Sequence, residues 1–160
     1  METKGRVPVS VPYPVLRMKI LIIGGASQGK TEFAVKHFNE FVNVQESLID
    51  KNGIKNISNG DNDKIFDTKY QKLYNGIFLD DFHLIMKNML ENNVDYQQFV
   101  TELTNVDGWL VISNEIGSGI VPIDKKDRLW REQTGRMLTK IARQADEVYR
   151  VFSGIPQKIK

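Results

Sequence analysis

The eight residues Gly24-Gly25-Ala26-Ser27-Gln28-Gly29-Lys30-Thr31 constrain this chain more than any other stretch. They fit Gly-x-x-x-x-Gly-Lys-[Ser/Thr], and the flanks are those the motif needs. Before them, Lys19 to Ile23 reads as a buried strand. After them, Thr31 to Val42 reads as a helix, with Phe33, Ala34, Val35, Phe38, Phe41 and Val42 as its apolar face. Glycines let such a loop wrap a phosphate with backbone N–H groups, and the helix N-terminus adds the positive end of its dipole. In this reading Gly24, Gly25, Ala26, Ser27, Gln28, Gly29, Lys30 and Thr31 bind a nucleotide. Lys30 reaches the β- and γ-phosphates, and the Thr31 hydroxyl ligates Mg2+. The bland alternative is a chance Gly-rich turn, and the correct flanks weigh against it.

Beyond this motif the chain keeps alternating between strand and helix. Ile77-Phe78-Leu79 reads as a second strand, and Met86 to Leu103 as largely helical with a break around Asn92-Asn93. Trp109 to Ser113 is a third strand. Asp124 to Ala145 is a long helix with Leu129, Met137, Leu138, Ile141 and Ala145 turned inward, and Glu147 to Phe152 is a last strand. The alternation predicts an α/β fold of the P-loop type, a mainly parallel sheet flanked by helices. Between Gln45 and Tyr70 the signal collapses into Asn, Asp, Gly, Ser and Lys, and only patches such as Ser47-Leu48-Ile49 suit strands.

The 160 residues, 41% of them hydrophobic, are enough for one domain with a sizeable core. We place it over 18–160. Residues 1–17 hold three of the five prolines, and they read as an extended arm rather than a signal peptide. Met18, where the first strand opens, is an alternative natural start. A net charge of +2 with mixed signs leaves no electrostatic footprint for a nucleic acid or an anionic membrane. No apolar run is long enough to span a bilayer. The absence of cysteine excludes a disulfide framework, a thiolate nucleophile and a Cys-type zinc site, and fits a cytoplasmic protein.

A phosphate loop with Mg2+ needs a carboxylate at the end of a neighbouring strand. Asp80 is the first polar residue after Ile77-Phe78-Leu79, and its expected role is to hold the metal directly or through water. The alternative is that it only caps a helix, a role that suits Asp81 better. A second candidate follows the third strand, in Ser113-Asn114-Glu115-Ile116-Gly117-Ser118-Gly119-Ile120-Val121-Pro122. Strand ends followed by Gly-rich loops are where α/β proteins keep ligands. Glu115 is either a working carboxylate there or, with Asn114, merely a cap of the turn.

The run Val111 to Pro122 resembles the adenosylcobinamide kinase / adenosylcobinamide-phosphate guanylyltransferase family of cobalamin biosynthesis, which shows Thr-Asn-Glu-x-Gly-x-Gly-Ile-Val-Pro at this point. The likeness continues through Arg128-Leu129-Trp130-Arg131, Gly135-Arg136, Ala145-Asp146-Glu147-Val148 and the stretch from Val151 to Lys160. Gly24 to Thr31 is also similar to the family's loop, Gly-Gly-Ala-x-Ser-Gly-Lys-Ser. The resemblance implies a RecA-like P-loop enzyme, a homo-oligomer that is often a trimer. Such an enzyme passes the γ-phosphate of ATP or GTP to the aminopropanol hydroxyl of adenosylcobinamide, and many members then move GMP from GTP through a covalent histidine. It implies catalytic roles for Lys30, Asp80 and Glu115. Glu115 would orient the acceptor hydroxyl or the metal water, and a substrate loop of Asn114, Gly117 and Gly119 would offer backbone N–H groups.

The middle of the chain departs from this pattern. The family's guanylyl-accepting histidine falls between the phosphate loop and the acidic strand, and here Glu46 to Gly76 contains neither histidine nor arginine. His37, inside the first helix, reads as a surface or partly packed residue. His83, just past Asp80 and Asp81, is the one candidate for a displaced nucleophile. The expectation is therefore a kinase whose guanylyl transfer is in doubt. A generic P-loop NTPase switch and a nucleotide-binding pseudoenzyme are the alternatives. No base-reading motif separates ATP from GTP.

Overall fold

Strand β1, Lys19–Gly24, carries the phosphate loop at its C-terminal end and is, among the described residues, the middle of a five-stranded sheet. The computed structural model describes residues 17–38 and 77–160. The expected arm up to residue 16, the helical positions Phe41 and Val42, and the patch Ser47-Leu48-Ile49 lie outside the described residues. After β1 come α1 (Lys30–His37), β2 (Ile77–Leu79), α2 (Phe82–Glu91) and α3 (Tyr96–Asn105). Then follow β3 (Trp109–Asn114), α4 (Lys125–Gln144), β4 (Glu147–Phe152) and β5 (Ile155–Lys158). The strand order is β2-β3-β1-β4-β5, with β5 alone antiparallel to its neighbour.

Both faces of the sheet are covered, which is why its strands read as continuous apolar runs. Side chains alternate across a strand. Ile20 and Ile22 therefore meet Phe33 and Ala34 of α1 on one face, together with Leu110, Ile112 and Val151. Leu21, Leu79, Val111 and Val148 meet Phe82, Met86, Phe99, Leu103, Met137 and Ile141 of α2, α3 and α4 on the other. Each such Leu, Ile or Phe taken fully out of water contributes about 1.5–3 kcal/mol.

Polar residues set the ends. Asp124 caps α4, its carboxylate accepting the Lys126 N–H at 2.6 Å and the Asp127 N–H at 3.3 Å, so the long helix begins where the sequence placed it. Asp95 caps α3 in the same way through the Gln98 N–H at 2.9 Å. Asn92 and Asn93 break the α2–α3 stretch, with Asn93 in the left-handed region at φ 54°. Asp146 ties β4 to the start of β1, its backbone N–H donating to Lys19 O and its carboxylate accepting the Lys19 N–H.

Three sequence expectations are corrected. The second helix begins at Phe82, not Met86, because Phe82, His83, Ile85, Met86 and Met89 form one buried face. Leu129 is 47% exposed, since the buried stripe of α4 runs through Trp130, Thr134, Met137 and Ile141 and leaves Leu129 off it. Val35 is 48% exposed for the same reason, α1 burying Lys30, Phe33 and Ala34 instead. One strand was missed. Ser153 and Gly154, at φ 49° and 75°, make the mirror-image turn that suits a tight hairpin, and β5 returns along β4 as an exposed edge on which Pro156 is tolerated.

Candidate active site

The loop between β1 and α1 has the shape its sequence implies. Gly24 lies so close to β4 that a Cβ there would fall 2.4 Å from the Val151 carbonyl oxygen, so no side chain fits. Gly29, the N-cap of α1, is left-handed at φ 87°. Lys30 opens α1 and is nearly buried, its Nζ donating to Gly25 O at 2.6 Å. Gln28, assigned to the loop only by its position, proves to be its brace. Its carbonyl accepts the Gly154 N–H at 2.9 Å and its Oε1 accepts the Ser153 N–H at 2.7 Å, so the β4–β5 turn props the loop. Both tethers use loop oxygens, the arrangement that leaves N–H groups to face an anion.

Thr31 and Asp80 come together although 49 residues separate them. Thr31 Oγ1 donates to Asp80 Oδ2 at 3.2 Å, and Asp80 Oδ1 accepts the Asp81 N–H at 2.8 Å. Asp81 occupies the N-cap of α2 without a side-chain capping bond. At φ 53° it is not in the extended conformation that aims a cap at the helix N–H groups, so the capping role expected of it is not observed. Burial pushes the Asp80 carboxyl above the usual carboxylate range, against the Asp81 N–H, Thr31 and Lys30, which favour its charged form. Burial pushes the Lys30 amine below its ordinary value, opposed by Asp81, Asp80 and Glu115.

Among the described residues no group of three His, Cys, Asp or Glu converges as a metal cage. A divalent cation here would draw on the Thr31 hydroxyl, Asp80 and the oxygens of a bound phosphate, which is how Mg2+ is usually held. An expected result follows for Asp80→Asn. The amide can accept from the Asp81 N–H and donate to Thr31, so both contacts survive while the half-buried charge goes. Because its folded-state pKa is raised, the Asp80 carboxyl stabilises the protein below its unfolded pKa, and that contribution fades as pH rises through the folded value. Thermal melts without ligand at neutral pH should show Asp80→Asn at least as stable as wild type, with the difference shrinking on acidification. A less stable variant at neutral pH would contradict the burial argument.

Glu115 stands beside the loop. Its N–H donates to Gly24 O at 2.9 Å, extending the β1–β3 ladder one residue past Asn114. Its carboxylate accepts from Arg150 Nε at 3.1 Å. Arg150, paired in register with Ile23, went unnoticed in the sequence. Its signal was there: a lone cation at the C-terminal half of an apolar strand, where parallel sheets present side chains to ligands.

The loop after Glu115 is shaped by two arginines of α4. Arg131 donates to the carbonyls of Ile120, Gly119 and Gly117, at 2.9 Å and 3.2 Å for the first two, and Arg128 donates to those of Pro122 and Ile123. The glycine carbonyls thus serve Arg131, and Gly119 takes a left-handed φ of 96°. Asn114 acts through its backbone N–H, which donates to His83 Nδ1 at 3.2 Å. His83 is buried, and its carbonyl accepts from Trp130 Nε1 at 2.6 Å. Desolvation holds the His83 pKa below the ordinary value, which favours the neutral ring. With Nδ1 accepting, the proton sits on Nε2 and neither nitrogen offers a free lone pair. His37 is exposed at the end of α1, its ring 4.8 Å from Phe33.

The profile of the family described as cobinamide kinase / cobinamide phosphate guanyltransferase matches residues 59–159, more than half of the chain. The chain belongs to this family. The match begins inside the interval that the sequence set apart as divergent and runs through Asp80 and Glu115. The phosphate loop, Gly24 to Thr31, lies before it. Over 51 residues the chain is 45% identical to the bifunctional adenosylcobalamin biosynthesis protein CobU of Salmonella typhimurium and 43% identical to that of Escherichia coli. Those residues are 32% of this chain and 28% of the length of each relative. Among the described residues, no helix is long and apolar enough to cross a membrane.

Proposed function

We propose that this member of the family is an adenosylcobinamide kinase that does not carry the guanylyl group on itself. The observation that carries the reading is the position of Glu115, whose backbone is hydrogen-bonded to the first residue of the phosphate loop. A γ-phosphate cradled by the loop and Lys30 would then lie next to a carboxylate able to accept a hydrogen bond from an attacking hydroxyl. Lys30 neutralises charge on the β- and γ-oxygens. Thr31 and Asp80 would hold Mg2+, which would screen the same oxygens. Glu115, fixed by Arg150, orients the aminopropanol hydroxyl and takes its proton, while the hydroxyl oxygen forms the new bond to phosphorus and the bond to the leaving nucleoside diphosphate breaks. ATP or GTP serves as donor, adenosylcobinamide as acceptor, and the working unit is a homo-oligomer in the cytoplasm.

The kinase-only part rests on chemistry. A phosphoramidate needs an unprotonated imidazole nitrogen in line with the α-phosphorus. Glu46 to Gly76 has no histidine, and Nδ1 of His83 is engaged. Incubation with adenosylcobinamide and GTP or ATP labelled at either the γ- or the α-phosphate tests both halves. The γ-label should pass to the corrinoid, and no acid-labile α-label should stay on the denatured chain. Unlabelled corrinoid would sink the kinase. Stoichiometric α-label on the chain would sink the kinase-only reading, and its loss in His83→Ala would show that the nucleophile had moved there.

A further inference from the structure

Next to Glu115, on the face of the sheet covered by α4, is a hollow of about 390 Å³ whose apolar lining has no role in the reading so far. Leu21 and Val148 form its floor, and Leu138 and Ala142 of α4 one wall. Glu115 and Arg150 stand at its polar side, held together by their 3.1 Å contact. The opposite wall begins the loop from Ile116, which goes on to Ile120 and Val121, 96% and 65% exposed.

The residue that draws attention to this hollow is Gly135. It lies inside the 20-residue helix α4, where glycine costs about 1 kcal/mol relative to alanine. No close packing demands it, because a Cβ built there meets nothing within 4 Å. It lines the hollow instead, so any larger residue at this position would stand in the space.

We propose that the hollow is the acceptor subsite, which takes a short hydroxyalkyl amide by its apolar end and keeps the hydroxyl at Glu115. This rests on the kinase reading and deepens it. The volume is at the small end of those that hold drug-sized ligands, roughly 300–1,000 Å³. It admits a methyl-bearing arm and leaves a macrocycle outside, against the apolar residues of the loop. Aliphatic floor and wall suit methyl and methylene groups, while the carboxylate and guanidinium supply the acceptor and donors that a hydroxyl and an amide need. Glu115 belongs both to this subsite and to the edge of the phosphate loop, which sets the arm's hydroxyl next to a cradled phosphate.

The test is Gly135→Met, with Gly135→Ala as a smaller filling should the first fold poorly. Thermal melts should show the variants at least as stable as wild type, with unchanged stabilisation by Mg-nucleoside triphosphate. The KM for adenosylcobinamide should rise at least tenfold in Gly135→Met and less in Gly135→Ala. Saturation-transfer NMR with N-(2-hydroxypropyl)propanamide should give a signal with wild type that Gly135→Met loses. If the probe binds but no corrinoid is phosphorylated, the subsite stands and the kinase reading falls. If both proteins phosphorylate the corrinoid with one KM, or wild type gives no probe signal, the subsite falls whatever the kinase does. A change of mass in light scattering with the probe signal intact would make this face a contact between copies and overturn the proposal.

Discussion

Replacing Lys30 by alanine should remove the thermal stabilisation expected of Mg-nucleoside triphosphate on the wild-type protein, and should leave the fold standing. The phosphate loop is made of backbone dipoles, and Lys30 is the one cation among its eight residues, the group that reaches the β- and γ-phosphates in loops of this type. Its Nζ is folded onto Gly25 O at 2.6 Å, inside the loop rather than in solvent. Burial already pushes this amine below its ordinary range, so a phosphate that pairs with it relieves a cost present in the free protein. A ligand that binds only the native state at a hundred times its dissociation constant adds about 2.7 kcal/mol of stability, a shift of several degrees for a domain of this size. That shift should vanish in Lys30→Ala at the same nucleotide concentration. Without nucleotide the variant should melt near wild type, because Ile20, Ile22, Phe33 and Ala34 pack the neighbouring core without it. Equal stabilisation of the two proteins by Mg-nucleotide would remove the phosphate-loop assignment.

The parts of this site legible in the sequence are those that depend on short-range rules. Gly24 to Thr31 carries its own context, since glycine spacing, strand and helix follow one another within the chain. Asp80 could be placed because it is the first polar residue after an apolar strand, and Glu115 because it opens the Gly-rich loop just past another, and parallel strands point such residues to a common edge. Long-range partners were not readable in this way. Arg150 meets Glu115 only because β4 lies beside β1 in the register Ile23↔Arg150, and nothing local announces that register. Gln28 braces the loop only because the Ser153–Gly154 turn happens to stand over it. Asp81 misled for another reason. Its residue type favours a cap, but a left-handed backbone at φ 53° denies its side chain the capping geometry. Leu129 misled because periodicity gives a stripe without its exact bearing, and two neighbouring stripes of α4 both contain apolar residues.

Glu115→Gln separates a working carboxylate from a turn brace. The glutamine oxygen can still accept from Arg150 Nε, and the backbone N–H still reaches Gly24 O, so the edge of the sheet and the loop keep their shape. Nucleotide-dependent stabilisation should therefore stay close to wild type. What goes is the negative charge that holds an acceptor hydroxyl's proton while its oxygen approaches phosphorus. A positioned acid–base or transition-state contact of this kind is worth on the order of 10²-fold or more in turnover. The loss should appear in kcat, because the acceptor's apolar end would remain seated on Leu21 and Val148, which the substitution does not touch. Steady-state phosphorylation of adenosylcobinamide at saturating Mg-nucleotide measures it. A variant with wild-type kcat would reduce Glu115 to a structural link between β3, the phosphate loop and Arg150. A variant that also lost nucleotide stabilisation would instead place the carboxylate among the groups that hold the phosphate loop itself in shape.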